Sequence, residues 1–366
     1  MKHNAIPIGL AALIVIIYFS AVAVYAVNAP IMDDYIQFLG FHYFWESAAD
    51  TWDRISLLFS QPQWDGGPQS EHRIFIARLA SLGLLEAAGG INFKLLILLG
   101  DAFLLGIMAL LWRLTPDLEG WHRLPVVLLL FSFIHYEISF WSSASLLYYP
   151  ATFFALLTFS WAERMKGARG FLGTALSGAC STLSQTNGLM AFPAAALTAA
   201  LNRRYRHAVI LAALAALAFT LYLWDFQRPA AVPRLDVTWQ TPLLVGRAWL
   251  YLIGGVFDDY AILGGSLLIA IWLFLLWKGY WKDRFPLFAL GVWLYVSLLM
   301  VAFGRAALGP SALGASRYEF YSAMLVAVTY LALMERGLSR SLKRLGFLST
   351  TLLVATIYLL AIPPAF

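Results

Sequence analysis

The sequence predicts an all-α polytopic membrane protein with about eleven transmembrane helices. Of its 366 residues, 61% are hydrophobic and only 12% are charged, a composition outside the range of soluble domains. Apolar runs of membrane length also recur along the chain. Aromatic residues make up 16%, and such rings anchor helices at the bilayer interface or line a groove for sugars and lipid tails. We therefore interpret residues 1–366 as a single transmembrane domain.

The first element is the apolar run from Ile6 to Val27. It is longer than a signal-peptide core and no clear small-residue cleavage pattern ends it, so we expect it to be retained as a transmembrane helix. Further spans are predicted at residues 91–112, 124–141, 145–161, 171–184, 189–201, 208–224, 260–277, 285–303, 319–334 and 345–362.

A short polar turn, Ser184–Gly188, separates two of the shorter spans. Backbone polar groups at membrane depth must face protein or water rather than lipid. We therefore expect this turn to be buried inside the helix bundle.

Two apolar stretches, 74–88 and 243–257, carry internal charges and are predicted to be helices on the exoplasmic surface. This assignment puts five loops rich in Lys and Arg on the same side as the amino terminus, as the positive-inside rule requires. The amino terminus is then cytoplasmic and the carboxy terminus exoplasmic. The net charge of +5 comes largely from those loops and does not indicate a nucleic-acid partner. The exoplasmic side receives a long loop, 28–90, with surface helices.

The first candidate site in that loop is the carboxylate pair Asp33 and Asp34, which directly follows the first span. Adjacent like charges and partial burial raise a carboxylate pKa, so one member could act as a general base while the other orients it or holds a metal. The alternative is that the pair caps a helix beginning at Tyr35.

The second candidate site is Glu71, His72 and Arg73, followed by Arg78. An acid, an imidazole and a guanidinium offer a proton carrier, a metal ligand and an anion-binding fork. On a helix, Glu71 and Arg78 would share a face. The alternative is a helix start with its own local ion pairs.

The third candidate site is the loop 304–318, in which Arg305 and Arg317 flank a run of small residues. Guanidinium groups at this depth bind phosphate bidentately and keep their charge. The alternative pairs Arg317 with Glu319 and lets Arg305 reach the lipid headgroups. Two further acidic positions are weaker candidates: Glu137, which could hold helices together, and the pair 258–259, a chemical look-alike of the first site.

These motifs resemble those of the GT-C glycosyltransferases, polytopic enzymes that take a sugar from a polyprenyl-phosphate carrier on the exoplasmic side. Met32-Asp33-Asp34-Tyr35, the Glu-His-Arg element at 71–73 and the Arg…Ser-Arg-Tyr element ending at Tyr318 carry the resemblance. Larger relatives carry a carboxy-terminal soluble domain, and we expect none in this sequence.

The resemblance implies an inverting hexosyl- or pentosyltransferase of the bacterial inner membrane, acting on a glycan or lipid hydroxyl. Asp33 or Asp34 would be the base, and a divalent cation such as Mg²⁺ or Mn²⁺ would be compatible with the site but not required. The residues expected to bind substrate or phosphate are Glu71, His72, Arg73, Arg78, Arg305, Arg317 and Tyr318.

Two other classes of function stay open. A lipid-linked polysaccharide polymerase or ligase would use similar arginines with a larger donor. A transporter or flippase for an anionic lipid would use the arginines without needing Asp33 or Asp34 as a base. The sequence shows no Walker loop, dinucleotide glycine fingerprint, zinc-protease motif or nucleophile elbow, which disfavours ATP-driven transport and serine or zinc hydrolysis.

Overall fold

The computed structural model describes residues 5–64, 67–229 and 238–336. Over these residues the regular secondary structure is helical apart from one antiparallel pair of two-residue strands, β1 (Gln63–Trp64) and β2 (Gly67–Pro68). The chain is therefore an all-α membrane protein, as predicted. The last predicted span, 345–362, lies outside the described residues.

Six helical segments among the described residues are long and apolar enough to cross a membrane. Each coincides with a predicted span, because apolar side chains facing lipid leave a continuous hydrophobic run in the sequence. The segments are Ala5–Tyr25, Phe93–Leu114, Gly120–Phe140, Tyr205–Leu223, Gly255–Trp277 and Phe285–Leu308.

Four more predicted spans also fall on helices, but these helices are shorter or more polar. One of them, Ser142–Glu163, has 22 residues and buries most of them, including several serines and threonines. A helix surrounded by protein can carry hydroxyl groups that would be costly against lipid. The other three are Gly167–Ser184, Ala191–Leu201 and Ser316–Glu335.

The two predicted surface helices are present and short. They are Phe75–Ala88, with 14 residues, and Thr241–Ile253, with 13. At 1.5 Å per residue a 14-residue helix is about 21 Å long, less than the roughly 30 Å of hydrocarbon that a transmembrane helix crosses. Their length therefore fits helices that do not span the bilayer.

The chain divides into two compact units, each built from segments distant in sequence. Of the described residues, unit 1 contains 5–24, 108–137 and 238–336, and unit 2 contains 25–64, 67–107 and 138–229. The helices are numbered along the chain: α1 Ala5–Tyr25, α2 Phe41–Ser47, α3 Thr51–Phe59, α4 Phe75–Ala88, α5 Phe93–Leu114, α6 Leu124–Leu130, α7 Tyr136–Phe140, α8 Ser142–Glu163, α9 Gly167–Ser184, α10 Ala191–Leu201, α11 Tyr205–Leu223, α12 Thr241–Ile253, α13 Ala261–Trp277, α14 Tyr280–Asp283, α15 Phe285–Arg305, α16 Pro310–Leu313 and α17 Ser316–Glu335.

Short non-α segments join several of these helices. A π-helical segment, Tyr35–Gly40, runs directly into α2. The 3₁₀ segments are Gly120–Arg123, Phe133–His135, Thr186–Met190, Gly255–Tyr260 and Ala306–Leu308.

The polar turn between α9 and α10 is buried, as predicted. Gln185 and Asn187 are 1% and 6% exposed. A Cβ added at Gly188 would lie 1.9 Å from the Ser181 carbonyl oxygen, so this position requires glycine for close backbone approach. The turn is thus a tightly packed part of unit 2.

Candidate active site and anion site

The two carboxylates that follow α1 lie in different environments. Asp34 is fully buried, whereas Asp33 is exposed to solvent. Both belong to unit 2. Their neighbour Met32 has a positive φ of 48°, a conformation that costs energy in a non-glycine residue and marks a tightly determined backbone.

Asp34 accepts three hydrogen bonds. Its Oδ2 accepts from the Ile31 backbone N–H at 3.1 Å, and its Oδ1 accepts from the Trp141 Nε1–H at 3.1 Å and the Ser143 N–H at 2.9 Å. Ser143 lies in the first turn of α8, where backbone N–H groups have no partner within the helix. Asp34 therefore caps α8 from a position more than 100 residues earlier in the chain.

The sequence alternative, that the pair caps a helix beginning at Tyr35, is half right. A helical segment does begin at Tyr35, but Asp34 at its N-cap position makes no capping hydrogen bond to it. The carboxylate points at α8 instead. Sequence reasoning misses this contact because Ser143 and Trp141 have no local spacing relation to Asp34.

Burial raises the pKa of Asp34 above its ordinary value, and the hydrogen bonds that its carboxylate accepts from the backbone N–H groups of Ile31 and Ser143 oppose that shift. The Asp34 side chain is buried, and both of its oxygens accept hydrogen bonds. Asp33 is exposed, so its carboxylate can meet a substrate from solvent. Of the pair, Asp33 is better placed to move a proton.

The Glu71–Arg73 segment is joined to α11 and the buried turn by hydrogen bonds within unit 2. His72 Nδ1 lies 2.7 Å from the Thr186 hydroxyl. The Thr186 and Tyr222 hydroxyls both donate to the Glu71 carbonyl, at 3.1 and 2.9 Å. His72 is thus held in a hydroxyl network, and the Glu71 and His72 side chains are both partly exposed.

The two arginines of this site cap the carboxyl end of α3. Arg73 Nη1 donates to the Phe59 carbonyl at 2.6 Å, and Arg78 Nη1 donates to the Ser60 carbonyl at 2.7 Å and also to the Leu57 carbonyl. These carbonyls lack partners within the helix and sit at its negative end.

Each guanidinium has further partners. Arg73 is paired with Asp225 and lies over the Tyr222 ring, and Arg78 lies over the Phe41 ring. Burial, and to a lesser degree the charge of Arg73, lower the pKa of Arg78 to about 9, which leaves it charged at neutral pH.

The expectation that Glu71 and Arg78 share one helix face is wrong. The helix begins at Phe75, so Glu71 lies outside it, in the segment that leads into it. The apolar run suggested a helix start at 74, but the preceding residues are held by α11 and the 186–190 segment rather than by helical hydrogen bonds.

The third candidate site lies in unit 1. Arg317 Nη1 is 3.0 Å from Glu137 Oε2, and the Arg317 backbone N–H donates to the same oxygen at 3.2 Å. Arg305 Nε donates to the Tyr318 hydroxyl at 3.3 Å, and the Arg317 guanidinium lies over the Tyr318 ring. Tyr318 thus joins the two arginines.

The sequence alternative for Arg317 named the wrong acid, since its partner is Glu137 rather than Glu319. Glu319 instead lines a cavity of about 60 Å³ with Asp258, Tyr251 and Tyr318. Asp258 adopts φ 49° and ψ −118°, an unusual backbone conformation. Asp258, of the look-alike pair at 258–259, therefore lies close to Tyr318 of the third candidate site, in the same unit.

The arrangement of possible ligand side chains does not favour a metal ion. Among the described residues, no group of three or more His, Cys, Asp or Glu side chains converges. Both oxygens of Asp34 face N–H donors, whose positive ends repel a cation. The two oxygens of Asp34 are therefore not arranged to hold the divalent cation that the resemblance allowed.

No family model, curated protein or solved structure matches this chain. The resemblance to GT-C enzymes thus rests on the residues of the three candidate sites and on the helical architecture.

Proposed function

We propose that the protein is a GT-C-type glycosyltransferase that moves a sugar from a polyprenyl-phosphate carrier to a hydroxyl group of a glycan or lipid. The motifs around Asp33, Glu71 and Arg317 support this reaction class, as does the set of membrane-length helices. We further propose that it lies in a bacterial inner membrane with eleven spans, a cytoplasmic amino terminus and an exoplasmic site.

The observation that supports this mechanism is that the two adjacent carboxylates lie in different environments. Asp34 is buried and fixed by three N–H donors, so it holds the segment against α8. Asp33 is exposed and held in place by that attachment. A general base must reach the acceptor hydroxyl, and a fixed backbone with an accessible carboxylate meets this requirement.

In the proposed reaction Asp33 takes the proton of the acceptor hydroxyl. The hydroxyl oxygen forms a bond to the anomeric carbon on the face opposite the leaving group. The bond from that carbon to the phosphate oxygen breaks, and the electron pair leaves on polyprenyl phosphate. The product has inverted anomeric configuration, and no step requires a metal.

The leaving phosphate requires cationic partners, because charge accumulates on it in the transition state. We assign this role to Arg305 and Arg317, which Tyr318 joins. Glu137 pairs with Arg317 at a partly exposed position, so this carboxylate competes with phosphate for the guanidinium. The bound donor is a phosphodiester with one negative charge, and the leaving polyprenyl phosphate is a monoester with up to two, so the leaving group competes with Glu137 for this guanidinium more strongly than the donor does.

Residues of the second site divide into two roles. Arg73 and Arg78 stabilise the end of α3 through its carbonyls, and we propose that they position the loop. Glu71 and His72 keep partly exposed side chains and remain our candidates for contacts with substrate hydroxyls.

The experiment compares two lipids that differ in one group. Purified wild-type protein, Arg305→Ala and Arg317→Ala are titrated with a polyprenyl phosphate and with the matching polyprenol. Wild type is expected to prefer the phosphate, and each Ala variant to lose about 1.5–3 kcal/mol of that preference. Equal affinity of wild type for both lipids would contradict the phosphate site.

A reaction assay completes the test. Wild-type protein in liposomes is incubated with a panel of polyprenyl-phosphate hexoses and pentoses and a mixed glycan and lipid acceptor extract. We expect release of polyprenyl phosphate coupled to a glycosylated product from at least one donor. Movement of intact donor across the bilayer without release would instead identify a flippase.

A further inference from the structure

A cavity of about 580 Å³ lies in unit 1 beside residues 280–284 and 335–336. Three helices meet there, since α13 and α17 end next to it and α15 begins next to it. Its volume is that of a small-molecule binding site, which typically measures about 300–1,000 Å³. The described residues that line it are Tyr280, Asp283, Arg284, Glu335 and Arg336. None of them belongs to the three candidate sites, so the cavity is distinct from those sites.

Two buried side chains hold Arg284 at the cavity. Glu335 Oε1 lies 3.1 Å from Arg284 Nε, and Glu335 Oε2 accepts a hydrogen bond from the Tyr280 hydroxyl at 3.1 Å. The Glu335 side chain is 5% exposed and Tyr280 is 1% exposed. Because its partner is fixed, the Arg284 guanidinium is ordered before a ligand binds, which lowers the entropic cost of binding.

Both guanidinium groups of the cavity keep N–H donors for a ligand. Arg284 Nη2 donates to Asp117 at 2.9 Å. Arg336 Nη2 donates to the Lys278 carbonyl, and the same atom lies 3.4 Å from Asp283 Oδ2. Among the described residues, Nη1 of neither arginine has an acceptor. Guanidinium N–H groups in this state favour an oxyanion, and phosphate in particular.

The acidic side of the cavity favours a cation instead. Asp283 contacts Arg336 only at 3.4 Å, and its side chain is 62% exposed, so it can accept from a ligand. The carboxyl ends of α13 and α17 also lie here, and the partial negative charge of a helix carboxyl end attracts a cation. The described lining carries two arginines and two acids, without an excess of either sign. A ligand with one charge of each sign therefore fits this lining better than a simple anion or cation.

An apolar surface of α13 ends beside the cavity. Leu273, Phe274 and Trp277 in the last turns of this helix are 60%, 44% and 75% exposed, and the helix completes a membrane-length segment. The next residue, Lys278, is the one whose carbonyl Arg336 binds. Acyl chains lying along α13 would therefore bring a lipid headgroup to the arginines.

We propose that the cavity binds the headgroup of a phospholipid with a primary ammonium group, as in phosphatidylethanolamine. Its phosphate accepts from Arg284 and Arg336, its ammonium donates to Asp283, and its acyl chains lie along α13. A primary ammonium has three N–H donors, whereas the trimethylated amine of phosphatidylcholine has none. The cavity therefore discriminates between two lipids of equal net charge, and the bound headgroup joins the ends of α13, α15 and α17.

The test is native mass spectrometry of the purified full chain after delipidation. The protein is titrated with phosphatidylethanolamine, phosphatidylcholine and phosphatidylglycerol of identical acyl chains, and with O-phosphoethanolamine as the headgroup without chains. Asp283→Asn and Arg336→Gln each remove one proposed contact. Arg113→Gln is the matched control, because this exposed arginine loses the same charge outside the cavity.

We expect wild type to bind phosphatidylethanolamine about 5-fold more tightly than phosphatidylcholine, the effect of one hydrogen bond. Asp283→Asn should abolish that preference, Arg336→Gln should weaken binding of both lipids, and Arg113→Gln should change neither. Equal affinity of wild type for the two lipids, tightest binding of phosphatidylglycerol, or a preference retained in Asp283→Asn would overturn the proposal. So would O-phosphoethanolamine binding as tightly as the lipid, which would assign the site to a soluble ligand. The assay needs no sugar transfer, so its outcome is independent of the proposed reaction.

Discussion

Replacing Asp34 tests whether this carboxylate is a structural brace. Asp34→Ala leaves the N–H groups of Ile31, Trp141 and Ser143 without their acceptor, at distances now of 2.9–3.1 Å. An unsatisfied buried donor costs about 1–3 kcal/mol, and removing the buried charge offsets part of this. We expect the free energy of unfolding to fall by roughly 2–4 kcal/mol. The isosteric Asp34→Asn keeps one acceptor oxygen and should lose about 1 kcal/mol.

The assay is reversible unfolding in mixed detergent micelles with increasing SDS, followed by circular dichroism. Asp33→Ala is the matched control, since this neighbour is exposed and surface substitutions rarely change stability measurably. Equal stability of the Asp34→Ala and Asp33→Ala variants would refute the brace, because it would show that the three donors find other partners at no cost.

The pH dependence of stability is a second, independent test of the role of Asp34. Burial raises the pKa of Asp34 above 3.8 in the folded protein, so the folded state holds this proton more tightly than the unfolded state. The contribution of protonated Asp34 to the free energy of unfolding is complete below pH 3.8 and is lost as pH rises through the folded-state pKa. Wild type should therefore lose stability relative to Asp34→Asn as pH rises from about 4 to neutrality. A constant difference across this range would contradict the raised pKa.

Three further predictions follow from single contacts. Arg78→Lys keeps the charge but cannot reach several carbonyls at the end of α3, so SDS unfolding should show a loss of about 1.5–3 kcal/mol; unchanged stability would contradict the capping role. Glu137→Gln removes the carboxylate that pairs with Arg317, so titration should show tighter binding of polyprenyl phosphate, and weaker binding would show that the pair orders the site instead. Gly188→Ala should abolish recovery of folded protein because its Cβ meets backbone at 1.9 Å, whereas Gly83→Ala, with nothing within 4 Å, should be recovered normally.

Hydrophobic patterning predicted the helices well because lipid-facing and protein-facing helices both leave apolar runs. The span at 145–161 corresponds to α8, although its serines and threonines reduce the apolar signal. The first residues of the helices were harder to predict from the sequence. The start of α4 at Phe75 depends on how Glu71 and Arg73 bind Tyr222, and contacts between distant segments have no signature in one sequence.

The contacts of the candidate site residues were also not predictable from the sequence. The types of residue at Asp33, Asp34 and Arg317 indicated polar chemistry at the ends of spans, but their partners could not be derived. Trp141 and Glu137 reach these residues from over 100 positions away along the chain. Only the fold reveals that one of two adjacent aspartates is enclosed and the other exposed, which is the distinction on which the proposed mechanism depends.

The rate of sugar transfer by Asp33→Asn tests the central claim most directly. Asn nearly preserves size and removes the base, and affinity for polyprenyl phosphate is measured on the same preparation to show that the carrier still binds. The proposed mechanism predicts a rate about 10²–10⁴-fold below wild type with affinity and stability unchanged. A wild-type rate in Asp33→Asn would contradict it.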